Sequence, residues 1–134
     1  MNDVKAEKGE QVCLPITVYS FQQMLSMQYS IRFDPEELEF QGIVNKQLPY
    51  LNENNFGTHS VDKGILTVVW IDNSLKGVTK NDGDQVFTIC FRVKADKGSK
   101  VEVDFSKDPT PFESVNLAEQ LVQINTKRGV ITVQ

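Results

Sequence analysis

Hydrophobic and polar residues alternate along most of this chain, and the longest unbroken alternation covers residues 84–95. There Phe87, Ile89, Phe91, Val93 and Ala95 fall on one side of a two-residue repeat, with Thr88, Cys90, Arg92 and Lys94 on the other. Successive side chains of a strand point to opposite faces, so this run reads as a half-buried antiparallel strand that needs a second apolar face to bury against. The other alternations supply one. Val12, Leu14, Ile16 and Val18 alternate across 11–20, where Pro15 cannot donate to a ladder and so marks an edge, a bulge or a break. Leu25, Met27, Tyr29, Ile31 and Phe33 line one side of 25–33. Across 38–44 the inward set is Leu38, Phe40 and Val44, which leaves Glu39, Gln41 and Ile43 outward. Residues 56–61 form a short strand joined through Asp62-Lys63-Gly64 to 65–71 as a hairpin. Val101, Val103 and Phe105 point inward from 100–105 and Glu102 and Asp104 outward; 112–116 and 121–124 give short or irregular strands, and 130–133 is the last strand.

Turn residues punctuate these runs at Asp34-Pro35, Asp72-Asn73-Ser74, 80–84, Asp96-Lys97-Gly98 and Asp108-Pro109. Residues 45–55, Asn-rich and interrupted by Pro49, read as a loop packed by its own apolar residues. No amphipathic helix and no internal repeat stands out. Eight or nine short strands separated by turns predict an all-β fold, an antiparallel sandwich in one domain over 1–134.

The segment 65–71 departs from simple alternation, because both of its faces are apolar. With Leu66, Val68 and Trp70 in the core, Ile65, Val69 and Ile71 form a β-branched stripe with Thr67 on the outside of a sheet. Such a stripe is either covered by a loop of the same domain or offered to a partner.

Composition narrows the classes. At 134 residues the chain can bury a core without needing a metal or a disulfide to fold. Its net charge of -4 and scattered Lys and Arg exclude nucleic acid and an anionic membrane surface as partners. No stretch approaches the roughly 20 apolar residues that insert through a bilayer, and Met1-Asn2-Asp3-Val4-Lys5 lacks the apolar core of a secretory leader. If the native protein is exported, this chain is an excised module. Cys13 and Cys90 permit one bridge without requiring it.

The residues that could carry catalysis do not assemble in sequence. His59, the one histidine, has no nucleophile elbow to serve and reads as an exposed strand residue. Glu36, Glu37 and Glu39 follow a turn and an outward face, where a solvated position explains them better than a glycosidase pair. Asn81-Asp82-Gly83-Asp84 lacks the further carboxylates and terminal Glu of a calcium loop. No phosphate loop and no zinc spacing occurs, so no catalytic residue, metal site or cofactor is expected.

Taken together, VCLPITV over 12–18, MQYSIRFDPEELEF over 27–40, GILTVVW over 64–70, DGDQVFTICFRV over 82–93 and GVITV over 129–133 resemble the cohesin domain family in order and spacing. The resemblance implies a nine-stranded jelly-roll sandwich with sheet orders 9-1-2-7-4 and 8-3-6-5. It further implies a non-catalytic module whose 8-3-6-5 outer face binds a dockerin, a small helical module that carries the calcium. Assigning 38–44, 56–61, 65–71 and 101–105 to strands 3, 5, 6 and 8 places Glu39, Gln41, Ile43, Thr67, Val69, Ile71, Glu102 and Asp104 on that partner-binding face. The surface so drawn has an apolar centre and acidic margins, as a helix-binding interface should. The same assignment sets Cys13 and Cys90 about two strand spacings apart, beyond disulfide reach, and favours free thiols.

The resemblance points to an extracellular or cell-surface setting and to a monomeric isolated domain. The 45–55 loop and both cysteines depart from the family pattern, which leaves room for a module of a non-cellulosomal surface protein. Two rival readings carry their own tests. A carbohydrate-binding module would expose Trp70 beside Tyr19 or Tyr50, and a passive spacer of a surface adhesin would cover the outer face of 65–71 within the domain.

Overall fold

The computed structural model describes all of residues 1–134 and contains ten strands. In chain order they are β1 (Val4–Ala6), β2 (Gln11–Thr17), β3 (Met24–Phe33), β4 (Leu38–Val44), β5 (Phe56–Gly57), β6 (Ile65–Ile71), β7 (Gln85–Val93), β8 (Lys100–Ser106), β9 (Glu113–Asn116) and β10 (Gly129–Val133). One sheet runs β1-β10-β8-β3-β6-β5, with β9 also paired to β3, and the other runs β2-β7-β4. Every pairing is antiparallel except β1 with β10.

The apolar side of the long alternating run is buried as its pattern requires, but the strand is not half-buried: Val86, Thr88 and Cys90 on the other side are buried as well. Phe87, Ile89, Phe91 and Val93 of β7 are buried against Leu66, Val68 and Trp70 of β6 and Tyr29 and Ile31 of β3, all in one core cluster. Phe91 meets Phe33 and Phe40 edge-on, and Phe87 meets Phe56 in the same way. Aromatic edges against faces add to the gain from burial alone, so this row ties the two sheets together. The 45–55 loop contributes Leu48 and Leu51 to the core, and the Pro49 carbonyl accepts a hydrogen bond from the Trp70 indole at 2.7 Å.

Four expectations need correction. The first strand is β1, three residues with no room to display a period, and it shifts the numbering of everything up to β4 by one. Residues 38–44 are therefore the fourth strand, hydrogen-bonded to β7, while β3 takes the third place between β8 and β6. With that shift the observed neighbours 8-3-6-5 and 2-7-4 agree with the order the resemblance implied, but the implied 9-1-2 run does not form: β1 and the last strand, β10, join the larger sheet beside β8 instead of β2.

Second, the parity of β4 reverses at its middle. A bulge between Phe40 and Gly42, with Gly42 at φ +148°, inserts one extra residue. An extra residue flips every side chain beyond it, so Ile43 enters the core and Val44 turns outward.

Third, the hairpin strand expected over 56–61 is two residues long. Gly57 lies so close to Thr67 that any larger residue would collide with its hydroxyl, and the chain leaves the sheet at Thr58. Residues 121–124 likewise form no strand beyond a single bridge from Leu121 to Val115.

Fourth, the cysteines are bonded. β2 pairs directly with β7, Cys13 stands opposite Cys90 with Cα atoms 4.0 Å apart, and the two form a disulfide. The expectation of free thiols rested on an intervening strand that the numbering shift removes. β2 is the edge of its sheet, which is where Pro15 is tolerated.

Candidate functional site

The outer face of the β8-β3-β6 ladder is built by three strands in register. Its rows can be read directly from the pairing: Ile71, Ser26 and Val115; Val69, Gln28 and Glu113; Thr67, Ser30 and Ser106; Ile65, Arg32 and Asp104. In the upper two rows the third residue belongs to β9, which takes over the edge of β3 where β8 ends. The face therefore grades along the strands from apolar to charged. At the apolar end Val69 is 45% exposed and Ile71 49%, so the stripe on 65–71 is open. At the charged end Arg32 faces Asp104, and Glu102 on the same side of β8 pairs with Arg128 at 3.4 Å.

The middle of the face is pinned. The fully buried Ser30 hydroxyl donates to the Thr110 carbonyl at 2.9 Å and accepts from its amide at 2.8 Å, which ties the connector between β8 and β9 to the sheet. The apolar end is braced by the turn that follows Ile71. Asp72, buried, accepts from the Ser74 hydroxyl at 2.7 Å, the Ser74 amide at 3.0 Å and the Gly77 amide at 2.9 Å. The Ser74 hydroxyl, with the backbone donors behind it, holds the Asp72 carboxyl below its ordinary range. The same turn raises Leu75 into solvent at 65% exposure.

The eight residues expected on one face divide between two sheets. Thr67, Val69 and Ile71 on β6 and Glu102 and Asp104 on β8 share the graded face. Glu39 and Gln41 lie outward on β4 in the other sheet, bonded to each other at 2.8 Å, and Ile43 is in the core. No single partner face can contain all eight. In their place the structure brings Ser26, Gln28 and Arg32 of β3 to the centre of the ladder, with Val115 at its margin. The alternation of 25–33 already marked Ser26, Gln28, Ser30 and Arg32 as outward, and only the strand numbering hid them.

Elsewhere the polar candidates serve the fold. Asp34 accepts from the Glu36 amide within its own turn, Asp82 accepts from the Ser20 amide, and Asp84 accepts from the Asn81 amide. His59 is exposed on the turn after β5 rather than on a strand. No group of three or more His, Cys, Asp or Glu side chains is placed to hold a metal ion. No helix is long and apolar enough to cross a membrane. Trp70 is fully buried while Tyr19 and Tyr50 are exposed, so the aromatic platform required by a carbohydrate-binding reading does not form, and the open β6 stripe fails the requirement of a passive spacer.

A family model described as the Cohesin domain matches residues 1–133. Among solved structures, the chain is similar to the sixth cohesin of scaffoldin B from Acetivibrio cellulolyticus, solved in complex with a Cel5 dockerin mutant. That likeness has a TM-score of 0.81 at 19% identity and covers 99% of this chain and 95% of that one. The OlpA cohesin from Clostridium thermocellum, in complex with dockerin 918, gives 0.81 at 16% identity with the same coverage. A non-cellulosomal cohesin from the archaeon Archaeoglobus fulgidus gives 0.75 at 16% identity, covering 99% and 87%. No curated protein sequence matches the chain.

Proposed function

The chain belongs to the cohesin family, and from that premise we propose that it is a non-catalytic interaction module that binds a dockerin-like helical partner on the graded β8-β3-β6 face. The observation that carries this reading is the graded ladder, apolar and open at Val69 and Ile71, crossed at Ser30 by the connector, and charged at Arg32, Asp104 and Glu102. Its four rows are separated by two residues each, so they span about 20 Å. That is the length of a helix of about 13 residues. An apolar end supplies affinity, and a charged end fixes which way the helix lies. Two of the similar structures are cohesins bound to dockerins, which supports the same class of partner.

The partner-binding set on this reading is Thr67, Val69, Ile71, Glu102 and Asp104, joined by Ser26, Gln28 and Arg32. Glu39, Gln41 and Ile43 are outside it. The extracellular setting fits the Cys13–Cys90 bridge, since disulfides persist in oxidising compartments.

The test is capture of a calcium-loaded dockerin-like module by the purified domain, with two variants compared. Val69→Asp puts a charge in the apolar end and should weaken capture by about a hundredfold or more, with the thermal transition unchanged. Gln41→Arg, on the opposite sheet, should leave capture unchanged. Retained binding in the first variant, or loss in the second, would place the interface elsewhere.

A further inference from the structure

Between the two sheets, at the end closed by the irregular segment after β9, lies a cavity of about 240 Å³ that the partner-binding face does not use. Phe21, Met27, Tyr29, Phe105 and Phe112 give it apolar and aromatic walls, Asn2, Thr17 and residues 125–127 add polar ones, and Ile124 stands at the mouth, 38% exposed. Tyr29 stacks on Phe112 with ring centroids 4.8 Å apart and meets Phe105 edge-on at 5.5 Å, so three of the walls form one aromatic cluster.

Two hydroxyls at or beside this wall have no partner within the chain: the Tyr29 phenol, which borders the cavity, and Ser114, which does not. Tyr29 is only 2% exposed, and no group of the chain bonds its phenol; burial alone acts on that hydroxyl, driving its pKa up. Ser114, paired with Met27 but not itself lining the cavity, is 1% exposed, and its hydroxyl is the fully buried one without a hydrogen-bond partner, whereas the Tyr29 hydroxyl opens onto the cavity. Buried hydroxyls are nearly always satisfied, and an unpaired one costs about as much as a lost hydrogen bond. Cavities lined only by hydrocarbon stay dry and take molecules such as benzene at about 150 Å³. This one is larger, is lined in part by polar groups, and includes the Tyr29 phenol, which no group of the chain bonds.

We infer that the cavity is a binding site for a small neutral aromatic molecule, larger than benzene and carrying one hydrogen-bonding group that pairs with the Tyr29 hydroxyl. The aromatic walls provide stacking and edge contacts for a ring system. A small number of polar groups in a mainly apolar pocket fixes orientation and selects among ligands of one shape. The mouth is lightly tied: from Gln123 to Arg128 the chain is held by the bond from the Met1 amine to the Lys127 carbonyl, 2.9 Å, and by the exposed Arg128–Glu102 ion pair at 3.4 Å. A small ligand therefore has a route in that requires no strand to separate.

The isosteric pair 2-naphthol and naphthalene tests this by titration calorimetry and by amide chemical-shift mapping on the whole domain. The expected result is saturable binding of 2-naphthol with Kd near 100 µM or tighter, an order-of-magnitude figure for a ligand of about eleven heavy atoms. Shifts should centre on Phe105, Phe112 and the 124–127 segment. Tyr29→Phe should weaken 2-naphthol about fivefold to tenfold and leave naphthalene unchanged. Ile124→Trp, at a half-exposed position that the fold does not depend on, should plug the mouth and weaken both. Absence of saturable binding by either compound, shifts confined to the outer sheet faces, or equal effects of Tyr29→Phe on both compounds would overturn the assignment. Should Tyr29→Phe fail to fold, the Ile124→Trp comparison and the shift map still decide it.

Discussion

At Gly42 a single residue decides which sheet face a whole half-strand presents. Its φ of +148° lies in a region that side-chain-bearing residues rarely adopt, and a Cβ built there would have open space around it. Any cost of Gly42→Ala is therefore backbone strain rather than a clash, about 1–3 kcal/mol in denaturant unfolding. A larger loss, or none, would mean that the bulge is not held as the structure has it. This residue also explains the one misplaced apolar side chain among the expected site residues. Alternation before the bulge was legible, as Leu38 inward and Glu39 outward attest, but period-2 reading has no means of locating an inserted residue unless its glycine is given weight. Asp72 makes a second prediction. Its carboxyl sits below the ordinary value of 3.8 because the charged form accepts the Ser74 and Gly77 donors. A depressed folded-state pKa gives stability that is complete above the unfolded-state value and is lost as pH falls through the folded one. Asp72→Asn should thus lower the melting temperature at pH 7, and the gap between variant and parent should close as pH drops below 3.8. A gap independent of pH would show that the charge plays no part.

Among the elements, legibility tracked length. β7 and β8 are nine and seven residues of clear alternation, β6 is seven residues apolar on both faces, and in each the inward face is the one the sequence marks. β1, at three residues, carries no period and gains its place only by pairing in parallel with β10. Missing it misnumbered β4, moved three candidate residues to the wrong sheet and separated the cysteines on paper. The observed pairing of β2 with β7 makes the bridge a link between an edge strand and the central strand of its sheet, 77 residues apart in sequence. Closing so long a loop restricts the unfolded chain heavily, by about 3–5 kcal/mol in the chain-entropy view. Cys13→Ser with Cys90→Ser should lower unfolding free energy by that order while leaving dockerin capture intact, because the bridge lies on the sheet away from the graded face. If capture falls in parallel with stability, the two sheets are coupled more tightly than their separate outer faces suggest.

For the whole molecule, the division of labour between domain and partner is the remaining question, and calcium separates the two. The carboxylates of the domain are dispersed over turns and strand faces, several already occupied by backbone donors, and no cluster of three could share an ion. A hard cation such as calcium takes six to eight oxygen ligands, which this arrangement does not bring together. On the proposed reading the partner carries the ion, and binding linkage turns that into a sharp expectation. A ligand that binds only the folded state raises its melting temperature, whereas one that does not bind leaves it unchanged. The free domain should melt at the same temperature in millimolar calcium and in excess chelator, while its capture of a dockerin-like module is present in the first and lost in the second. A calcium-dependent shift in the melting of the free domain would move the metal onto this chain, and capture that survives chelation would call for a partner that folds without calcium. In either case the graded face remains the surface to interrogate, since its register is set by the backbone pairing of β3 with β6, β8 and β9 and not by an ion.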